Sequence, residues 1–317
     1  MPCPPALVLH KTDVVSHATL PWRHLLLALA VVAVWGSNFV VIKNALAHLP
    51  PLLFAALRFS LAFVPAVFFL RRPDVPWRNL AAYGLLIGLV QFGALYIAIN
   101  GHIAPGLASL VVQTQVFFTI GLSMYITGEQ VRRFQWVALA LAVTGIAVIG
   151  AHTDADTTWA GLALVLLAAL GWSLGNMVGR QAGAVNMLAY VVWSSAFSVP
   201  PLLLLSWWTE GWPAMTAGVT QADAFTWLAV AWQAWGNTLF GYAAWGWLLA
   251  RHPASTITPM ALLVPVFGMG ASAWLLAEPL PGWKLGAAAL VMTGLTLNVL
   301  WPHWLRRRPS RRNAVAQ

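Results

Sequence analysis

The sequence predicts an all-α polytopic membrane protein of ten transmembrane helices arranged as two inverted five-helix repeats. Three observations carry that prediction. The first is composition: 60% of the 317 residues are hydrophobic and only 8% are charged, with a mean hydropathy of +0.75, where a soluble domain carries about 25% charged residues. So few charges cannot solvate a globule of this size, so the solvent around most of the chain is lipid. The second is that basic residues sit at the ends of apolar segments, on one side. The third is a duplication 149 positions apart. Glu129 is followed sixteen residues later by Gly145 in Ala-Val-Thr-Gly (142–145), and Glu278 by Gly294 in Val-Met-Thr-Gly (291–294). Two similar halves with an odd number of spans each must lie in opposite orientations, the ground plan of alternating-access carriers.

A helix needs roughly 20 apolar residues to cross the hydrocarbon core, and charges, Pro/Gly breaks and polar clusters divide the chain accordingly. Residues 1–22 read as a cytoplasmic tail. Their one apolar run, Ala6 to Leu9, is shorter than the ~7–15 residues of a signal-peptide core. The first repeat, 23–152, holds spans at 24–43, 52–70, 79–99, 103–126 and 134–151. The second, 153–301, holds spans at 159–179, 187–208, 223–248, 254–276 and 283–301, and 302–317 is a basic cytoplasmic tail. Within these segments Gly84/Gly88 and Gly171/Gly175/Gly179 have the small-xxx-small spacing of closely packed helices. Pro65, Pro200-Pro201, Pro259 and Pro265 mark expected kinks.

The charges test the count. With the N-terminus cytoplasmic, inside segments hold Lys11, Arg23, Arg71, Arg72, Arg78, Arg132, Arg133, Arg180, Arg251, Arg306, Arg307, Arg308, Arg311 and Arg312. Outside connections hold Asp154, Asp156, Glu210, Asp223 and Glu278, with only Lys284 and Lys43 as cations. Fourteen cations against two is the positive-inside bias, and miscounting one span would destroy it. Both termini are therefore expected inside. The net charge of +9 does not imply nucleic-acid binding, because the basic residues form no basic face; the Arg-rich tail reads as an anchor near anionic lipid.

Polar residues at membrane depth need protein or water partners, since lipid offers none. Trp35 and Asn38 share a face of span 1, and Trp172 and Asn176 share a face of span 6. These echoed pairs either bond and pack against neighbouring helices or line a wet cavity between the halves. Gln113 and Gln115 are two residues apart on span 4, about 200° around a helix, so they face different directions. Gln233 and Asn237 share a face of span 8, and span 3 carries Gln91 and Tyr96, with Asn100 near its outer end. Arg58 lies about 10 Å into span 2 at 1.5 Å per residue, and no carboxylate is placed at comparable depth. It either snorkels to the outer headgroups or accepts an anionic group from outside the protein, such as a substrate carboxylate. Lys43 reads as an interfacial, snorkelling residue. Glu129 and Glu278 lie at helix ends and are expected to act locally: Thr127-x-x-Gln130 has capping-box spacing, and acids favour helix N-termini.

Enzymatic signatures are missing. One cysteine, Cys3, excludes an intramolecular disulfide and a cysteine-rich metal site. The eight histidines form no two-His helical motif, and there is no Gly-x-x-x-x-Gly-Lys-Ser/Thr loop. Gly268-Met-Gly-Ala-Ser-Ala273 is a dinucleotide loop only superficially, since no strand precedes it. No cofactor or metal is expected, and a polytopic membrane enzyme would need an acid/base or metal constellation that the sequence does not offer.

Several runs carry a family resemblance. Val-Trp-Gly-Ser-Asn-Phe-Val-Val-Ile-Lys (34–43), Pro-Pro-Leu-Leu-Phe-Ala-Ala-Leu-Arg-Phe (50–59) and Gly-Leu-Ala-Ser-Leu-Val-Val-Gln-Thr-Gln-Val-Phe-Phe-Thr-Ile (106–120) are the specific ones. Gln-Phe (91–92), Ala-Ile-Asn (98–100) and Leu-Leu-Val-Pro-Val (262–266) are more widespread. Together with the repeats, they resemble the EamA type of the drug/metabolite transporter superfamily, and within it the bacterial O-acetylserine/cysteine exporters, over residues 24–301. The resemblance implies an inner-membrane carrier exporting cysteine, O-acetylserine or related small amino acids. It fits Arg58 as a carboxylate partner, and the polar and aromatic residues at membrane depth add Trp35, Asn38, Gln113, Gln115, Trp172, Asn176, Gln233, Asn237 and Tyr96 as candidate substrate-facing residues. The tail longer than the family's and a tryptophan-rich second half set this chain apart, and the tryptophans favour an alternative, export of aromatic or drug-like compounds.

Overall fold

The computed structural model describes residues 20–127, 132–183 and 185–306, and every regular element among them is a helix. The first half contributes α1 (Trp22–Ala45), α2 (Pro51–Val67), α3 (Trp77–Ile99), α4 (105–127) and α5 (Arg133–Ala151). The second contributes α6 (Trp159–Gln181), α7 (Met187–Thr209), α8 (224–251), α9 (254–275) and α10 (Gly282–Arg306). Eight of these are long and apolar enough to cross a bilayer. The 17-residue α2 is apolar but shorter, and Gln233, Asn237 and several tryptophans dilute the apolarity of α8. The expected all-helical membrane architecture is borne out.

Helix starts follow the local sequence. Pro51 and Pro105 take first-turn positions where a missing N–H costs nothing. Thr158, Asn186 and Asp223 accept from Gly161 N (3.0 Å), Ala189 N (3.2 Å) and Thr226 N (2.7 Å) as N-caps. The connection at 209–222 contains a further short helix, Trp212–Gln221. Gly211 at φ +83° turns the chain and Pro213 starts that helix.

Hydrogen bonds sort the connections onto two ends. His48 Nδ1 meets Thr226 Oγ1 (2.9 Å), Thr158 N donates to His102 O (2.8 Å), Gly106 N donates to Glu278 (3.0 Å), and the His152 ring stacks on Trp283. Connections α1–α2, α3–α4, α5–α6, α7–α8 and α9–α10 therefore share one end, and the others the opposite end. Lys43 closes α1 by donating to Ile99 O at the end of α3 (3.3 Å), a cation on a helix C-terminus.

The helices pair mainly across the halves: α5 with α10, α2 with α7, α4 with α9, α1 with α9, and α3 with α6 and α7. Glycines set the closest crossings. Gly145 lies against Val291 and Ala287, while Gly294 lies against Ala138 and Ala142, so the two duplicated Thr-Gly segments pack on each other. Gly84 and Gly88 meet Ser194 and Ser198, also four apart, and Gly171 and Gly175 receive the 86–91 stretch of α3. Gly36, Ser109 and Gly268 hold α1, α4 and α9 together toward the end that carries Glu278. Beyond a long Gln113 Nε2–Ala261 O contact (3.4 Å), α4 and α9 part: residues 115–127 pack on α6, whereas 258–263 pack on α1 and α10.

Four helices change their winding. The middles of α3 (Leu85–Gly93) and α8 (Trp232–Phe240) are π-helical, and α4 (Val112–Thr114) and α9 (Thr258–Leu263) contain 3-10 turns. The irregularities fall on the third and fourth helices of each half. Pro259 sits within one of the 3-10 turns.

The local role expected for Glu278 is corrected. Its carboxylate accepts from Gly106 N, at the start of α4 in the other half, and pairs with Lys284 (3.1 Å), the one ion pair among the described residues. Glu210 acts alike: Oε1 accepts from Leu52 N (2.7 Å) and Oε2 from Leu53 N (3.2 Å), at the start of α2. Sequence spacing does not reveal these contacts because the helix each acid caps lies more than 150 residues away. Glu129 and Gln130 lie outside the described residues; the next helix is instead capped by Gln135 Oε1, which accepts from Arg132 N (2.8 Å).

The α5–α10 crossing gives a direct test. A Cβ at Gly294 would lie 2.5 Å from Ala138 O, whereas one at Gly286 on the same helix meets nothing within 4 Å. Gly294→Val is expected to lower stability by about 1–3 kcal/mol through overpacking, and Gly286→Ala to leave it equal or slightly higher, as read by thermal unfolding in detergent. Equal tolerance at both positions would contradict the crossing.

Candidate functional site

Arg58 sits eight residues into α2 and is 1% exposed. It does not reach the headgroup region. Nη1 donates to Tyr96 OH and Nη2 to Thr238 Oγ1, both at 2.9 Å. The guanidinium carbon lies 3.8 Å from the ring centre of Phe92 and 5.0 Å from that of Phe59. Tyr96 in turn stacks on Phe54 at 4.9 Å. Three elements thus converge on one cation: α2 supplies it, and the π-helical middles of α3 and α8 supply, or directly precede, its neighbours.

The electrostatics are one-sided. No carboxylate among the described residues lies within ion-pairing distance of Arg58. Withdrawing such a cation from water costs several kcal/mol. Two hydrogen bonds to the charged group, at about 1.5–3 kcal/mol each, and a desolvated cation–π contact of about 2 kcal/mol offset that cost. Nε–H is buried without a partner. So are both amide atoms of Gln233, 0% exposed, together with Asn38 Oδ1 and Gln91 Oε1. Buried polar groups in native proteins are nearly all bonded, and a buried guanidinium N–H left without a partner has the chemistry to hold a carboxylate.

The remaining candidates do not all meet at Arg58. Trp35 joins α1 to the α8 segment: its Nε1 donates to Asn237 O (3.2 Å), and its ring lies 5.2 Å from Trp245 and 6.0 Å from Tyr242. Gln113 and Gln115 point to different helices, Gln113 toward Ala261 of α9, while Gln115 Oε1 accepts from Asn176 Nδ2 of α6 (3.4 Å). Trp172 packs, partly buried, against the main core. The structure therefore ties Arg58, Tyr96, Asn237 and Trp35 into one connected region, and places Gln115 and Asn176 in a separate α4–α6 contact. Sequence reasoning passed over Thr238 and Phe92. The signal for Thr238 was its position directly after the Gln233–Asn237 pair.

Known proteins similar to this chain show its family. Residues 22–151 and 159–300 each match the family described as the EamA-like transporter family. The chain belongs to the EamA-like transporter family. It is 41% identical over 279 residues, 86% of this chain and 93% of the relative, to a Salmonella typhimurium protein named "Probable amino-acid metabolite efflux pump". It is 39% identical over 284 residues, 88% and 95%, to an Escherichia coli protein of the same name. An Escherichia coli protein named "Uncharacterized inner membrane transporter YedA" is 30% identical over 50% of this chain and 56% of its own length. A solved structure titled "Crystal structure of protein" covers 90% of this chain and 99% of its own at a TM-score of 0.60 and 18% identity, which shows the shared fold. Membership in the EamA-like family makes the chain a multi-pass membrane transporter, with a small molecule as substrate, rather than an enzyme.

Removing one support of the cation separates its terms. Tyr96→Phe takes away one hydrogen bond to a buried charge and is expected to cost about 1.5–3 kcal/mol. Arg58→Met replaces the ion by an apolar chain of similar length and is expected to fold with equal or greater stability. Thermal unfolding of the purified variants measures both, and a clearly destabilised Arg58→Met protein would contradict a cation whose burial its neutral partners only just offset.

Proposed function

We propose that this EamA-like transporter is an inner-membrane secondary carrier that exports small amino-acid metabolites, cysteine, O-acetylserine or close relatives, by alternating access. The observation that carries the reading is Arg58: a cation 1% exposed, without a carboxylate partner among the described residues, whose Nε–H is free to donate to an anionic group. An amino-acid carboxylate supplies that group, and guanidinium–carboxylate pairing is strong and directional. The names of the Salmonella typhimurium and Escherichia coli relatives support amino-acid metabolites as the cargo class.

Alternating access takes its support from the arrangement of the halves. In this reading, residues 23–152 and 153–301 form inverted repeats of five spans each, ten in all, with both termini cytoplasmic. The matched π and 3-10 segments favour it. So does the pairing scheme, which maps onto itself when each helix is exchanged for the one five later: α4–α6 mirrors α9–α1, and α3–α7 mirrors α8–α2. In the orientation that the positive-inside bias favours, α4 and α9 meet on the outside and part on the cytoplasmic side, an asymmetry between the two ends of the kind alternating access needs. Membrane lipid is the only other partner this reading needs.

A second reading, export of aromatic or drug-like compounds, draws on the Trp35–Tyr242–Trp245 wall beside the site. One experiment separates the two. Cells overproducing the protein, supplied with a panel of amino acids and aromatic compounds, are expected to release cysteine or O-acetylserine faster than control cells. Arg58→Ala is expected to reduce that release about tenfold or more, as loss of a charge-assisted pair, with Asn38→Ala intermediate. Unchanged release of every amino acid sinks the cargo assignment; undiminished export by Arg58→Ala sinks the role of the arginine.

A further inference from the structure

Thr238 holds an unusual position for a threonine inside a helix. A hydroxyl has one hydrogen to donate and two lone pairs to accept with. Thr119, Thr144, Ser195 and Thr209 donate to the carbonyl four residues back, the ordinary return in an α-helix. Thr238 donates to Gln233 O, five back, at 2.9 Å. Positions five apart are about 140° apart around a helix of 3.6 residues per turn; the π winding of Trp232–Phe240 brings them together. With its hydrogen committed there, the Thr238 oxygen presents only lone pairs to Arg58, and it accepts from Nη2.

The consequence for the guanidinium is orientation. It is clamped at two corners, by Tyr96 from the first half and by Thr238 from the second, and lies on Phe92. Of its three nitrogens, only Nε is left without a partner, at 1% residue exposure. Gln233, whose carbonyl fixes the Thr238 hydroxyl, itself carries a fully buried, unpartnered group, its side-chain amide.

We propose that Thr238 is a positioning residue for cargo recognition, which fixes the Arg58 guanidinium so that its Nε edge receives the cargo carboxylate and ties that edge to the second half of the carrier. The inference rests on the reading of Arg58 as the carboxylate partner in amino-acid export. It assigns discrimination between a carboxylate-bearing cargo and its decarboxylated amine to a neutral hydroxyl that does not itself touch the cargo. Losing the hydroxyl leaves the charge in place but lets the plane turn, so affinity for the carboxylate falls while the transport cycle continues.

The test uses the full-length protein in liposomes, with L-cysteine and cysteamine, which differ by the carboxylate. Wild type is expected to prefer cysteine strongly. Thr238→Val, nearly isosteric, is expected to raise KM for cysteine about tenfold, as for a lost hydrogen bond to a charged group, with the maximal rate within about twofold and the preference over cysteamine reduced in proportion. Thr238→Ser, which keeps the hydroxyl, is expected to restore both. Wild-type KM and preference in Thr238→Val would overturn the proposal, as would equal impairment of Val and Ser. If Thr238→Val does not fold, the same comparison of Thr238→Ala with Thr238→Ser decides it. Wild-type protein that moves neither cysteine nor any other amino acid overturns the export reading, and this proposal with it.

Discussion

A full positive charge stabilised by neutral groups alone, in the interior of a membrane protein, constrains everything placed around it. Arg58 cannot be left to lipid, cannot reach water at 1% exposure, and has no carboxylate beside it among the described residues. It needs oxygen acceptors and an aromatic face brought to it from elsewhere in the chain. Tyr96 and Phe92 arrive on α3 and Thr238 on α8, so the cation is satisfied only when the two halves are docked. Packing and electrostatics are then one problem: the glycine crossings that let α3 approach α6 and α7 also hold Tyr96 and Phe92 where Arg58 requires them.

Helix winding links that requirement to motion. Regular α-helices would present a single fixed face to the site. The π segments of α3 and α8 change the facing of residues within one turn, and the 3-10 turns of α4 and α9 tighten the helices beside them. Such irregular turns are strained relative to an α-helix and recur at functional hinges. At the end carrying the odd-numbered connections, Glu210 and Glu278 of the second half fasten the starts of α2 and α4 of the first through backbone N–H groups. Each is a charge-assisted bond to a helix N-terminus, strong in place and broken by a small shift of one helix.

Much of this was legible in the sequence, and the limits have physical causes. Sparse charge and apolar runs identify the solvent, and hence the helices, because lipid permits little else. The spacing of Gly84/Gly88 and of Gly171/Gly175 announces close crossings, since only small residues let backbones approach. The depth of Arg58 could be counted, but its direction could not: whether a long side chain snorkels or turns inward depends on what the facing helices offer. For the same reason Glu278 read as a local cap when its partner stands 172 residues away. Thr238 escaped notice because a pattern of 3.6 residues per turn assigns it a face away from Gln233, and no residue type signals that α8 is wound more widely there.

The central claim, that the Arg58 guanidinium waits for a carboxylate at its Nε edge, is tested most directly by an experimental structure of the protein with cysteine bound. The account predicts a cysteine carboxylate oxygen about 2.7–2.9 Å from Nε, with the Tyr96 and Thr238 hydrogen bonds retained. Cysteine bound elsewhere, with Nε still unpartnered or turned to a protein carboxylate, would contradict it.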